Sequence, residues 1–213
     1  MKISYGITVH NESEELENLL GKLLLSIDEQ DEVVICVDGD DENVKSVIEL
    51  YSIDSRVIHY NRKLDGNFSD QKNSVIEKST GDYIFHIDAD ECPHNTLLTQ
   101  LKQILEINDV DLVWVPRVNT IEGMKPEHIQ KWGWNVSEKN WVNFPDYQAR
   151  IFRRKEHIKW VRPLHEYISG CETYSHLPPY EQLSLYHPKT IEKQESQNMY
   201  YNENFSKEMN VRK

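Results

Sequence analysis

Short apolar runs alternate with helix-period stripes through the first 116 residues, and that alternation leaves few folds open. "ISYGITV" (3–9) reads as a strand. After it, Leu16, Leu19, Leu20, Leu23 and Leu24 recur at the three-and-four spacing of one helical face. Asn11, with Glu14 three residues on, has the form of a capping box that would start this helix. "EVVICVD" (32–38) is nearly all apolar, as expected of a strand covered on both faces. Val44, Val47, Ile48 and Tyr51 form a second helical face, "RVIHY" (56–60) a short strand, and "SDQKNSVIEKS" a helix capped by Ser69. A strand at 82–88, the helix "TLLTQLKQILEI" and the strand "DLVWVP" complete the series. Strands joined by helical crossovers imply a mostly parallel sheet with helices on both faces. The expected class is α/β, Rossmann-like over residues 1–116.

After Pro116 the texture changes. Trp132, Trp134, Trp141 and Trp160 fall close together, "YQARIFRR" (147–154) reads as one more strand, and 157–168 holds strand-like pieces. The tail from Tyr186 to Asn210 is polar and helical in part. No repeat or low-complexity linker divides the chain, so residues 1–116 and 117–213 read as two halves of one unit.

The formal charge is −12, from 24 basic and 36 acidic residues. A nucleic-acid binder normally carries a basic stripe, and docking on an anionic membrane needs a basic patch; neither suits this balance. No apolar run approaches the roughly 20 residues of a membrane span. "MKISYGITVHNESEE" lacks the pattern of a signal peptide. Cys36, Cys92 and Cys171 have no metal-ligand spacing, and reduced thiols in a cytoplasmic protein are their simplest reading. An acidic protein handling a phosphate-bearing substrate would call on a divalent cation as intermediary.

The segment "GDYIFHIDADE" (81–91) sets the chemical question, because a buried-looking strand ends in Asp88, Asp90 and Glu91. In an extended chain Asp88 and Asp90 point to one side, about 6.6 Å apart. Two such charges repel by about 2–3 kcal/mol at an effective dielectric near 20. Either the acids are solvated or they hold a metal. Ligands of open parallel sheets bind beyond the carboxyl ends of the strands, where "TVHNE", "CVDGDDEN" and "HIDADE" all deliver polar groups. Asp and Asn there commonly serve as caps and turns, but one cap does not require three acids. Hard divalent cations take oxygen ligands, so Asp88 and Asp90 suit Mg²⁺ or Mn²⁺ with a diphosphate completing the coordination. "DGDDENVKSVIE" fails as an EF-hand: Asn43 stands where the turn needs glycine, and a strand precedes it. A D-x-D phosphatase of the haloacid-dehalogenase type would carry its motif on the first strand.

Taken together, "ISYGITVHNE", "VVICVDGDDEN" and "DGNFSDQKNSVIEKSTGDYIFHIDADE" resemble the nucleotide-sugar half of family 2 glycosyltransferases of the GT-A fold. "DYQARIFRRKEHIKWVRPLHEYI" extends the likeness towards the lipopolysaccharide-core glucosyltransferase-like branch, whose members carry an R-[LI]-F-R-R strand followed by a His-Glu pair. The resemblance covers roughly residues 2–168. It implies that Thr8 and His10 line the nucleobase pocket and that Asp38 contacts the base. Gly39 replaces the second acid of the family's V-D-D stretch, with Asp40 as its substitute. Lys72 matches a position near the donor. Asp88 would face ribose and metal, and Asp90 the metal.

His165-Glu166 falls in the place of the family's Glu-Asp pair, which makes Glu166 the expected base, with Asp146 in reserve. The competing reading of Glu166 is a structural ion pair with Arg162 or a neighbouring arginine. His165 is a candidate metal ligand or diphosphate contact, more weakly His187. The tryptophans are either packing residues or a stacking platform for sugar rings. What the resemblance implies is an inverting, metal-dependent transfer of a hexose from a UDP-linked donor to a hydroxyl of a carbohydrate or other acceptor. A nucleotidyltransferase and a silent nucleotide- or sugar-binding protein stay open as alternatives, and the tyrosine-rich tail offers a surface for self-association.

Overall fold

The computed structural model describes residues 1–206; the last part of the tail segment, from residue 207 on, lies outside the described residues. Four strands and their crossovers build the parallel part of the sheet. These are β1 (Ile3–Val9), α1 (Ser13–Ser26), β2 (Glu32–Val37), α2 (Glu42–Tyr51), β3 (Val57–Asn61), α3 (Phe68–Lys78) and β4 (Tyr83–Asp88). The two-residue β5 (Cys92–Pro93), α4 (Asn95–Asn108) and β6 (Leu112–Val115) follow, then β7 (Arg117–Glu122) and α5 (Pro126–Trp132). The remainder holds β8 (Gln148–Arg153), β9 (Lys159–Val161), β10 (Tyr167–Ser169), β11 (Tyr174–His176), β12 (Leu185–Thr190) and α6 (Ile191–Asn204).

The central sheet runs β11-β6-β8-β4-β1-β2-β3. β1 pairs in parallel with both β2 and β4, and β2 with β3, whereas β8 runs antiparallel to β4 and to β6. The expected strand "DLVWVP" therefore forms but does not neighbour β4. Residues of the second half enter the sheet between them. Successive strands move outward from β1 to β3, and β4 then returns to the other flank of β1. That reversal opens a crevice at the carboxyl ends of β1 and β4, where Thr8 and Asp88 are paired in register.

Both faces of the sheet are covered. Leu16, Leu19, Leu20 and Leu23 of α1 join Val44 and Ile48 of α2 and Leu97, Leu101 and Leu105 of α4 against Tyr5, Ile7, Val33, Ile35 and Phe85. On the opposite face Val75 of α3 packs on Val34 and Cys36, while Trp160 and Ile168 of the β9–β10 ribbon pack on Ile84 and Phe152. Helix α3 sits unusually close to the sheet: a Cβ placed on Gly6 would stand 2.5 Å from Val75 Cγ1. Among the described residues no helix is long and apolar enough to cross a membrane.

Two expected caps are corrected. Helix α1 starts after Glu12, and Asn11 and Glu14 form no capping box. The Glu12 carboxylate instead accepts the backbone N–H groups of His10 (2.9 Å) and Asn11 (3.1 Å), which holds the turn after β1. Helix α3 is capped by Asn67, whose side chain accepts from the Asp70 N–H, and Ser69 donates to that same oxygen. Asn67 precedes the apolar period by two positions more than Ser69 does, and its amide oxygen is as good an acceptor.

At the amino end of the sheet Glu32 is 6% exposed in its side chain and accepts hydrogen bonds from Lys2 (2.6 Å), Ser4 (2.6 Å) and Thr80 (2.5 and 2.8 Å). Burial acts to raise its pKa, but these donors overcome that and lower it from 4.5 to about 2. A carboxyl depressed by folding stabilises the fold above its unfolded pKa, and that contribution is lost as pH falls through the folded value. Glu32→Gln is expected to cost about 1–3 kcal/mol at pH 7. In urea denaturation the gap from wild type should narrow between pH 4.5 and about 2; a gap independent of pH would show that ionisation of Glu32 contributes nothing.

Candidate active site

A cleft of about 2090 Å³ opens at the carboxyl ends of β1, β2 and β4. Thr8, His10 and Asp38 line its first wall, Lys72, Asp88 and Asp90 its floor, and Asp146, His165, Glu166 and His187 the side built by the second half. Asp40 is not brought in: its side chain is 83% exposed and faces Lys45 at 3.7 Å. Gly39 explains why no acid stands in its place. Its φ is +100°, where a side chain is strained, and the His10 ring lies 3.5 Å from where a Cβ would be. His10 Nδ1 bonds to the Asp38 carbonyl (2.7 Å), and the Asp38 carboxylate accepts the Leu64 N–H (3.0 Å).

The three acids that end β4 are not left to water alone. Each is met by the protein's own cations. Asp88 Oδ1 lies 3.1 Å from Lys72 Nζ, and Arg150 donates to Oδ2 at 2.5 Å. Burial acts to raise the Asp88 pKa, and Arg150 and Lys72 overcome it and hold the carboxyl well below the usual range. Glu91 turns inward, fully buried, and accepts from Arg117 (2.9 Å) and Arg150 (2.6 Å). Asp90, on the turn between them, has His187 Nε2 at 3.4 Å and Lys193 Nζ at 3.6 Å from Oδ2.

Helix α3 places the expected base. Asn73 exchanges two hydrogen bonds with the backbone of Trp160, at 2.9 Å each, and so fixes β9. Lys72, beside it, is buried over the Trp160 ring (4.7 Å) and reaches 2.7 Å to Glu166. Glu166 therefore pairs with a lysine that also touches Asp88. Burial would raise its pKa, but Lys72 lowers it, so Glu166 is ionised at neutral pH. The loop that presents it holds Arg162 at φ 78° and His165 at φ 52°. Strained backbone of this kind persists where surrounding contacts enforce it, and it clusters at functional sites. Here the Pro163 carbonyl accepts the Phe68 N–H (2.9 Å), and His165 meets Tyr201 edge-on at 6.2 Å.

Asp146 is engaged differently. Its Oδ2 accepts from Arg117 (2.6 and 3.0 Å) and Asn119 (2.9 Å), and its Oδ1 from Gln148 (3.0 Å). Because Asn119 spends its NH₂ on Asp146 and the Val142 carbonyl, its oxygen faces His187 Nδ1 at 2.8 Å. That network assigns the proton of the neutral ring to Nδ1. Burial lowers the His187 pKa, favouring the neutral form. Nε2 then presents a lone pair towards the Asp90 carboxylate, so two acceptors converge on one point. Such a pair fits a cation, and magnesium-type ions bind one or two protein ligands together with substrate phosphates. No group of three or more His, Cys, Asp or Glu side chains suited to a metal occurs among the described residues.

Arg150, Arg117 and Asn119 escaped the sequence reading. The signal was present: Arg150 interrupts the apolar strand "QARIF", and a guanidinium in a buried strand requires an acid nearby. Arg153 and Arg154 of the same strand serve the far end of the sheet, donating to the carbonyls of Val110 (3.2 Å) and Gly81 (2.8 Å). Of the tryptophans, Trp114, Trp132 and Trp160 line the cleft, while Trp134 packs on Trp132 and Trp141 on Phe144. Tyr200 and Tyr201 of the tail also line the cleft.

Known proteins share the fold of this chain. An uncharacterized glycosyltransferase of Rickettsia bellii (strain RML369-C) is 32% identical over 108 residues, which are 50% of this chain and 16% of that protein. The chain thus spans a small part of that relative's length. The crystal structure of S. aureus TarS 1–349 in complex with UDP-GlcNAc superimposes with a TM-score of 0.64 at 15% identity, over 89% of this chain and 59% of that one. The UDP complex of the same protein gives 0.64 over 88% and 60%. At such identity the likeness is one of fold, a GT-A glycosyltransferase sheet. The family model "Glycosyl transferase family 2" matches residues 4–176, and the chain belongs to that family.

Proposed function

We propose that the cleft transfers a hexose, with inversion, from a UDP-linked donor to a hydroxyl of a carbohydrate acceptor, with Mn²⁺ or Mg²⁺ bound by Asp90 and His187. The observation that carries this reading is the convergence of Asp90 Oδ2 and His187 Nε2, 3.4 Å apart, on the floor of the cleft. The TarS complexes with UDP and UDP-GlcNAc support a uridine donor by analogy of fold. Thr8, His10 and Asp38 would receive the nucleobase, and Asp88, held rigid by Lys72 and Arg150, the ribose. A bound cation would neutralise charge developing on the departing diphosphate. Ile151-Phe152-Arg153-Arg154 and His165-Glu166 support the lipopolysaccharide-core glucosyltransferase-like branch.

Glu166 is the base in this proposal. It lines the cleft, is ionised, and is held by one lysine, whereas four donors already engage Asp146. Glu166 takes the proton of the acceptor hydroxyl, that oxygen bonds to the anomeric carbon, and the bond to the diphosphate oxygen breaks with its electron pair. Trp132, which also lines the cleft, offers an apolar face for the acceptor ring.

Calorimetric titration with UDP is expected to show binding that Mn²⁺ strengthens, and Asp90→Ala to remove that strengthening. Binding indifferent to Mn²⁺ in the wild type would overturn the cation site, and absence of any nucleotide binding the transferase reading itself. Glu166→Gln should leave UDP affinity unchanged and reduce turnover by about 10²–10⁴-fold. Retained turnover would return the role of base to Asp146.

Lys72→Met removes the partner shared by Asp88 and Glu166. An expected loss of about 3–5 kcal/mol in urea denaturation follows from stranding buried carboxylates. Glu166→Gln in the same chain should recover part of that loss, and strictly additive effects would show that the pair is not coupled.

A further inference from the structure

One half-buried cation of the cleft has no carboxylate within ion-pair distance among the described residues. Four lysines line this space: Lys63, Lys72, Lys189 and Lys193. Lys63 is exposed to solvent, Lys72 pairs with Asp88 and Glu166, and Lys193 pairs with Glu15 (3.1 Å) and Asp90 (3.6 Å). Lys189 is half-buried, donates to the neutral amide of Gln197 at 2.8 Å, and forms no ion pair among the described residues. Its direction follows from the strand that carries it. His187 and Lys189 are alternate residues of β12 and share a face. On the paired strand β7 their register partners are Asn119 and Ile121, which also line the cleft. That face already delivers His187 to Asp90, so Lys189 stands one strand step further along the same wall.

A half-buried ammonium that lines a cleft with no carboxylate in contact is complementary to an anion brought by the ligand. We infer that Lys189 is a binding residue for the diphosphate of the nucleotide-sugar donor, acting beside Asp90 and Lys193. The inference rests on the transferase reading but assigns a residue that reading does not need. Lys189 meets the charge that grows on the diphosphate as the glycosidic bond breaks, whichever cation Asp90 and His187 hold.

The test compares UDP with uridine, which share the base and ribose and differ in the diphosphate. Calorimetry on the full chain, in EDTA and again with Mn²⁺, is run for wild type, Lys189→Met and Lys189→Arg. Lys189→Met fills similar volume without the charge, and a urea melt confirms that it is folded. It is expected to weaken UDP about 10- to 100-fold and to leave uridine within twofold, as loss of a charge-assisted hydrogen bond requires. Lys189→Arg should keep most of the UDP affinity. Unchanged UDP binding by Lys189→Met overturns the inference, as does an equal loss for UDP and uridine, which would mark Lys189 as a support of the cleft wall. If Lys189→Met does not fold, Lys189→Gln carries the same comparison. A wild type that binds uridine as tightly as UDP overturns the inference alone. A wild type that binds neither, nor another nucleoside diphosphate, overturns the transferase reading with it.

Discussion

Neutralisation of the acids that end β4 is the constraint around which the rest of the molecule is arranged. Asp88 and Glu91 lie in low-dielectric surroundings, where an unpaired carboxylate is costly. Arg150 joins them from β8, Arg117 from β7 and Lys72 from α3. Three separate elements are thereby tied to one strand end. Breaking a buried pair by removing one partner leaves the other charge stranded, so these contacts specify which elements must meet more than they add net stability. The insertion of β8 between β4 and β6 acquires a purpose here: it brings a guanidinium to the floor of the cleft that an ordinary parallel neighbour would not supply.

The same contacts make a continuous polar path across the cleft. It runs from Asp90 through His187, Asn119 and Asp146 to Arg117, then through Glu91, Arg150 and Asp88 to Lys72 and Glu166. Donor and acceptor ends of the site are consequently not independent. A group placed on this path acts partly through its neighbours, and single substitutions along it will not report additive contributions.

Much of the sheet was legible because period and polarity agree over most of residues 3–116: β2 is nearly all apolar, and α1, α2 and α4 each bury one aliphatic stripe. What failed was local or long-range. The caps of α1 and α3 depended on a choice among adjacent Asn, Glu and Ser acceptors that sequence spacing does not resolve. The place of β8 depended on long-range pairings, those with β4 joining residues more than sixty positions apart. Carboxylates at strand ends stood out, which marked Asp88 and Asp90, while the family resemblance marked Glu166; all three line the cleft. Their cations were less visible: Arg150 shows itself only by interrupting an apolar strand, and Arg117 looks like any surface arginine until the sheet order puts it inside. Asp40 was proposed to compensate for Gly39; the positive φ of Gly39 carries the chain away from the cleft before Asp40 is reached.

Gly6 carries no functional group, yet its missing methyl lets Val75 of α3 settle against β1. Lys72 lies on the same helical face as Val75, one turn earlier. The height of the helix above the sheet therefore fixes how far the lysine reaches between Asp88 and Glu166. Chemistry at the cleft is calibrated by a packing distance in the core, and the residue that sets the calibration touches no ligand at all.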